Sequence, residues 1–285
     1  MPLPEDGIVC PSAFAVSCLL WSVSYSSVRL TTIGTGTAAP SAERVNAGHL
    51  IEAGAVKLLM DCGSGVVHRM ASLGVRWESI THLALTHFDA DHVSDIPTLM
   101  VAWRWGTLPP RSEPIEIIGP PGTRRLLERF GELFGHTVAA PDYGLAVTEI
   151  VPGAPVELEG GILLEALEVP HTEESVAYSI RAGERRVVYT GDTGPSPSLG
   201  EWARECDVLL AECSLPEEMA IATHLTPLRC AELAASARPR MLVLTHFYPP
   251  VERVDIRGIV GELYDGPVAL ATDGWAIEPE EIRCS

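Results

Sequence analysis

The stretch Thr86-His87-Phe88-Asp89-Ala90-Asp91-His92 places four metal-capable side chains, two imidazoles and two carboxylates, within six positions. It follows directly on the apolar run Ile80 to Leu85, whose length and flanks predict a buried strand. A strand that stops at such a cluster aims it at one point. His87 and Asp89 are two residues apart, so an extended backbone puts them on the same side. Asp91 and His92 come where the chain must turn, and Val93 to Trp105 then reads as a helix. A polar loop rich in aspartate accounts for one His-x-Asp pair. It is a poor account of four such side chains at this spacing.

The pattern recurs along the chain. Strands are predicted at Val28 to Ile33, Gly48 to Glu52, Val56 to Met60, Ile115 to Ile118, Leu164 to Val169 and Val176 to Arg181. Four more follow at Arg186 to Tyr189, Val208 to Ala211, Met241 to Leu244 and Val268 to Ala271. Several of these apolar runs end in a single polar residue: Asp61, His171, Asp192 and His246, as the opening one ends in His87. Val208 to Ala211 leads into Glu212. Helices are predicted at Val66 to Leu73, stopped by Gly74, at Thr123 to Phe134, and near Arg257 to Tyr264. Another opens at Pro227, with Thr226 as its N-cap, and runs to about Ala237. Residues 136–165 read as loop-rich with short strands. Gly34-Thr35-Gly36-Thr37 reads as a tight turn and not a dinucleotide fingerprint, because no third glycine follows at the right spacing and no helix opens there. Residues at the ends of several strands are how a scaffold gathers one metal site from distant sequence.

Composition narrows the class. A chain of 285 residues suits one large α/β domain. With 46% hydrophobic and 20% charged residues it can bury a core. Acidic residues number 38 against 20 basic, a net charge of −18. Such a surface repels phosphate backbones unless a local basic patch intervenes, and Arg124–Arg125 and Arg185–Arg186 are isolated pairs. The seven cysteines are scattered and lack C-x-x-C spacing. Neither a disulfide framework nor a zinc knuckle is expected, and a reducing, cytoplasmic setting fits. Ala13 to Val23 is apolar but too short to span a bilayer. Glu5 and Asp6 stand where a secretory signal carries positive charge. Residues 1–27 read as an extension of unspecified structure, and residues 28–285 as one domain.

With these residues in this order, the chain resembles the metallo-β-lactamase superfamily, and more closely its ribonuclease Z-like branch of metal-dependent hydrolases. The resemblance runs from about Val28 to Glu278. Asp61 matches the first family motif, a residue that orders the site. His87, Asp91 and His92 match the second, H-x-H-x-D-H. His171 matches the third, Asp192 the bridging fourth and His246 the fifth. Thr245-His246-Phe247 and Asp273-Gly274 are similar to the branch in detail. The resemblance implies an α/β fold, a four-layer αβ/βα sandwich, with two divalent ions at one edge of the sheets. By motif position one ion takes His87, Asp89 and His171, and the other takes Asp91, His92 and His246, with Asp192 between them. Such ions sit about 3.5–4 Å apart and share a hydroxide that attacks phosphorus or a carbonyl carbon. Imidazole and carboxylate ligands suit Zn²⁺. His224 matches the branch's proton-donating histidine, and Glu212 the glutamate that orients it. Asp91, His224 and Glu212 are the implied catalytic residues.

Two departures qualify the resemblance. Asp89 stands where the family has its second histidine. The added carboxylate makes the site less positive, so bound water is less acidic, and an oxygen ligand makes Mn²⁺ or Fe²⁺ more competitive. Two ions with an altered metal preference are expected, with single occupancy as the rival. The branch's tRNA-processing members carry a long arm between the third and fourth motifs. Here 20 residues, Thr172 to Gly191, separate His171 from Asp192, and two strands with a turn account for them. The expected substrate is a small or short single-stranded phosphodiester, tRNA is not expected as the main one, and no membrane partner is. A lactonase or β-lactamase-like hydrolase, and a degenerate non-catalytic metal binder, are the alternatives. Branch members often pair, which makes the apolar region around Trp103 and Trp105 a candidate homodimer interface. His49, His68 and His82 are expected in packing roles.

Overall fold

In a computed structural model of the protein, residues 27–139 and 141–282 are described. The apolar segment within residues 1–26, together with Cys10, Cys18 and Cys284, lies outside them. The first half of the chain runs β1 (Val28–Gly34), β2 (Gly48–Ala53), β3 (Val56–Met60), α1 (Val66–Ser72), β4 (His82–Ala84), α2 (Ala90–Val93), α3 (Ile96–Trp105), β5 (Ile115–Gly119), α4 (Thr123–Phe134), α5 (His136–Ala139) and β6 (Leu145–Glu149). The second half runs β7 (Val156–Leu158), β8 (Ile162–Glu168), β9 (Val176–Ala182), β10 (Arg185–Tyr189), α6 (Pro197–Trp202), β11 (Val208–Glu212), α7 (Pro227–Ala237), β12 (Met241–Thr245), α8 (Ile256–Val260), β13 (Val268–Leu270) and β14 (Ala276–Ile277).

The strands form two seven-stranded sheets, ordered β14-β1-β2-β3-β4-β5-β6 and β13-β12-β11-β10-β9-β8-β7. Alternation along the strands sends Leu30, Ile51, Leu58 and Met60 from the first sheet, and Leu164, Tyr178, Val187, Leu210 and Val243 from the second, into one shared core. Helices cover the outer faces. Leu50, Leu59, Leu83 and Ile117 meet Val66, Met70, Leu99 and Leu127. Val188, Leu209, Leu242 and Leu244 meet Leu199, Cys230, Ala231 and Val260. Strands buried on both faces read as near-continuous apolar runs, which is why the sequence shows them so clearly. The result is the four-layer αβ/βα sandwich that the resemblance implies.

Strand direction decides where side chains gather. β3, β4, β5 and β6 are mutually parallel, and so are β10, β11, β12 and β13. β9 is antiparallel to both β8 and β10, so β8 runs with β10. The C-terminal ends of β3 and β4 therefore share one edge, as do those of β8, β10, β11 and β12. In α/β sheets this is the edge whose loops carry ligands.

Several elements differ from the sequence reading. The helix expected over Val93 to Trp105 is two helices, α2 and α3, with Pro97 in the first turn of the second. Proline has no N–H to continue a helix from the preceding turn. α6 was not expected; Pro197 and Ser198 look like loop, yet Ser196 caps the helix by accepting from Leu199 N (3.3 Å). Trp103 is buried, with its Nε1 donating to Trp77 O (3.0 Å). It is therefore core and unavailable as an interface, whereas Trp105 is exposed. His68 is exposed on α1, opposite Val66, Val67 and Met70, and so does not pack in the core. No helix among the described residues is long and apolar enough to cross a membrane.

Candidate metal centre

β3 ends at Asp61, whose φ of 59° is left-handed. A non-glycine residue holds such a conformation at a cost of about 1–3 kcal/mol and persists there only when its surroundings over-determine it. They do. The buried Asp61 carboxylate accepts from Thr86 N (2.8 Å), Thr86 Oγ1 (2.9 Å), Tyr189 OH (2.9 Å) and His92 Nδ1 (2.8 Å). Burial works to raise its pKa, but the His92 charge and hydrogen bond outweigh burial and hold it below the usual carboxylate range. The next turn packs against the opening motif so closely that a Cβ at Gly63 would lie 1.9 Å from the Asp91 carbonyl oxygen.

The imidazoles are oriented by one consistent device: each engages Nδ1 with the protein. His92 Nδ1 bonds Asp61. His87 Nδ1 meets Thr86 Oγ1 (2.9 Å), the hydroxyl that donates to Asp61. His171 Nδ1 donates to the Thr223 carbonyl (3.0 Å). His246 Nδ1 meets Ser214 Oγ (2.9 Å), which donates to Glu212. Partners of this kind fix the tautomer and ring plane of metal-binding histidines.

The free atoms converge on Asp192. Its Oδ1 is 3.4 Å from His92 Nε2, and its Oδ2 is 3.4 Å from His246 Nε2 and 4.0 Å from His171 Nε2. Asp91 Oδ2 lies 3.5 Å from His246 Nε2. Asp89 Oδ2 lies 3.2 Å from His171 Nε2 and 3.7 Å from His87 Nε2. Burial lowers the His87 pKa to about 4. In Asp91, burial would raise the pKa, but the close His246 and His92 imidazoles prevail and the value falls to about 2.

Nε2 of His87, His92 and His246 and Oδ1 of Asp192 are buried, and no hydrogen bond reaches them. An unsatisfied buried polar atom costs about 1–3 kcal/mol, so four around one point need a reason. Divalent cations supply one. His87, Asp89 and His171 gather their ligand atoms within 4.8 Å of one another, as do Asp91, His92 and His246. The donor set and the orphaned atoms fit divalent cations.

Beside this cluster sits the pair His224 and Glu212. Glu212 is fully buried at the end of β11. It accepts from Thr193 N (2.6 Å) and from the Ser214 hydroxyl, and both its oxygens meet His224 Nδ1 (3.0 and 3.1 Å). Burial works to lower the His224 pKa, but the Glu212 hydrogen bond and charge prevail and raise it to about 9. The His224 ring lies 4.9 Å from the His171 ring and 5.9 Å from the His246 ring. Tyr248 presents an edge-on ring to both His224 and His246.

All nine residues singled out from the sequence for metal binding or catalysis thus stand at one place, with Asp61 beneath them. Thr86, Ser214, the Thr223 carbonyl and Tyr248 were missed. Only Tyr248 carried a signal, two residues after His246 in the same strand-end loop. Asp273 does not reach the cluster: it accepts from Thr35 N (3.0 Å) and Val45 N (2.8 Å), fixing the loop after β1.

Residues 56–247 match the family described as the beta-lactamase superfamily domain, well over half of the chain. The chain belongs to this family. Ribonuclease Z of Mycobacterium sp. (strain KMS) is 28% identical to this superfamily member over 281 residues, covering 90% of this chain and 98% of that protein. Among solved structures, the metallo-beta-lactamase fold protein YhfI from Bacillus subtilis aligns with a TM-score of 0.78 at 26% identity, over 89% of this chain and 100% of its own. Human tRNase Z, short form, shares the fold at a TM-score of 0.72 and 24% identity, over 90% and 100%. This superfamily member is a ribonuclease Z-like, metal-dependent hydrolase.

Proposed function

We propose that this hydrolase cleaves phosphodiesters in small or short single-stranded substrates. Two divalent ions would be held by His87, Asp89 and His171 on one side and by Asp91, His92 and His246 on the other, with Asp192 between them. The observation that carries the reading is the set of buried Nε2 and carboxylate atoms without hydrogen bonds around Asp192, with His224 and Glu212 beside them. Its ribonuclease Z relatives favour phosphorus over a carbonyl carbon as the electrophile.

When bound, two such ions supply concentrated positive charge at the reacting phosphoryl group and make water a better nucleophile at neutral pH. The chain's own residues then have distinct tasks. Asp61 holds the His92 ring and, through Thr86, the His87 ring. Glu212 holds His224 directly and, through Ser214, His246. Because Glu212 occupies Nδ1 of His224, the proton free for transfer is on Nε2. As the P–O bond breaks, the leaving alkoxide takes that proton, a step a positioned histidine accelerates by roughly 10²–10⁴-fold.

The nitrogen and oxygen donors suit Zn²⁺, and Asp89 draws the preference toward Mn²⁺ or Fe²⁺. A small substrate is supported by the segment between His171 and Asp192, which is spent on β9, a turn and β10, and by the net charge of −18. The described cysteines, Cys62, Cys206, Cys213 and Cys230, are free and buried, in keeping with a reducing setting such as the cytoplasm. Light scattering tests whether the protein pairs through the exposed Trp105 and Leu108.

The test of the reading is metal content together with turnover, in Zn²⁺ and in Mn²⁺. The panel holds an aryl phosphodiester, cyclic nucleotides, a tRNA precursor, a lactone and a β-lactam. Two equivalents of metal and turnover of the small phosphodiesters are expected. One tight equivalent in the native chain and two in Asp89→His would overturn the two-ion reading. Turnover confined to the lactone or β-lactam would overturn the phosphodiesterase reading, and turnover confined to the tRNA precursor would overturn the small-substrate reading.

A further inference from the structure

The segment that carries His224 is held in an unusual way. Residues 221–224 lie outside helix and strand, with one turn at 222–223, and three of their four carbonyls accept from side chains. Thr223 O takes Nδ1 of His171 (3.0 Å). Nη1 of Arg229 reaches both Ile221 O (2.5 Å) and His224 O (3.0 Å). Arg229 lies in the first turn of α7, where its own N–H donates to the Thr226 cap (3.4 Å). Its side chain therefore doubles back over the cap and closes a ring around the segment. On the other side Gly194 lies so close that a Cβ there would be 1.8 Å from the Ala222 carbonyl oxygen.

Hydrogen bonds from a charged donor are about twice as strong as neutral ones. One guanidinium nitrogen bridging two carbonyls also fixes the span between residues 221 and 224. Both side chains that matter here depend on that span: His224 itself, and His171 through the Thr223 carbonyl. We infer that Arg229 is a positioning residue for the reaction, setting the His224 imidazole against Glu212 and the His171 ring against Thr223. The His224 part rests on the proposed role of His224 as proton donor; the His171 part does not. A misplacement of about 1 Å in a reacting group can cost about 10²-fold in rate, and loss of an outer partner of a metal-binding histidine costs about 10–100-fold in affinity.

The test compares Arg229→Met, Arg229→Lys and His224→Ala on two phosphodiesters that differ only in leaving group, p-nitrophenol against an alkyl alcohol. Nitrophenolate departs without a proton; an alkoxide needs one. For Arg229→Met we expect kcat on the alkyl ester to fall about 10–100-fold, with less than about a 3-fold fall on the aryl ester and little change in KM. Zn²⁺ affinity, read by competition with a chelating dye, should weaken about 10-fold. Arg229→Lys, which keeps the charge, should recover most of both losses. Equal losses on the two esters with native Zn²⁺ affinity would overturn the inference, as would native behaviour throughout. Should Arg229→Met fail to fold, Arg229→Gln replaces it, retaining one donor and carrying the same expectations. If His224→Ala itself spares the alkyl ester, the proton-donor reading has failed, and the Zn²⁺ affinity of the Arg229 variants still decides the contact to His171.

Discussion

The two sheets supply the centre in opposite styles. The first delivers His87 and Asp89 from the loop after β4, and Asp91 and His92 from α2 directly behind it. The second delivers His171, Asp192 and His246 one at a time, after β8, β10 and β12, with Glu212 at the end of β11. Each half also buries one carboxylate that bonds Nδ1 of a site histidine. Asp61 serves His92 and, through Thr86, His87. Glu212 serves His224 and, through Ser214, His246. The clustered set depends on one turn and its anchor. The dispersed set depends on the register of four strands, so it is secured by the whole core beneath it.

Asp192 belongs to both proposed ion positions, so its removal should have the largest effect. Asp192→Ala is expected to lose at least one equivalent of metal and about 10³-fold or more in kcat/KM, since metal charge at the phosphoryl group contributes several kcal/mol; metal analysis with steady-state kinetics measures both. Next in size is the second half's own pair. His224→Ala should lose about 10²–10⁴-fold on an alkyl phosphodiester while keeping both ions, and parallel metal loss would show the halves are not separable in this way. In the first half, Asp61→Asn should leave the fold intact but weaken Zn²⁺ about 10–100-fold, read by dye competition.

The smallest expected effect is on stability, in chelated protein. The His224 pKa is raised from 6.5 to about 9 in the folded chain. Protonated His224 therefore stabilises the fold fully below pH 6.5, and that contribution is lost as pH rises through about 9. Calorimetry should show the metal-free melting temperature declining across that window, with a shallower decline in Glu212→Gln, which removes the main cause of the upward shift.

Much of this was legible in the sequence for a physical reason. A polar residue that ends a doubly buried apolar strand stands out against its surroundings, and that contrast revealed Asp61, His87, His171, Asp192 and His246. Apart from Asp61 and Glu212, the partners of Nδ1 give no such contrast. A backbone carbonyl such as that of Thr223 is the same in every residue, and Thr86 and Ser214 look like ordinary loop hydroxyls. Arg229 reads as one more exposed helical charge until its side chain is seen to turn back over the cap. The break before Pro97 and the capped start of α6 were local signals present in the sequence and outweighed there by apolar or loop-like neighbours. Trp103 and Trp105 show the remaining difficulty: two residues apart on one helix, they face opposite environments, and composition alone treats them as a single patch.

Asp61 and His246, one in each half, share a φ of 59°. Glycine would relieve the backbone at either position but would remove the side chain that the site needs. Laboratory evolution should therefore pull in two directions here. A library screened only for heat resistance is expected to drift toward glycine or asparagine at His246 and go silent while keeping Asp61, whose loss would orphan four buried donors. A library screened for turnover keeps both residues and recovers its robustness elsewhere.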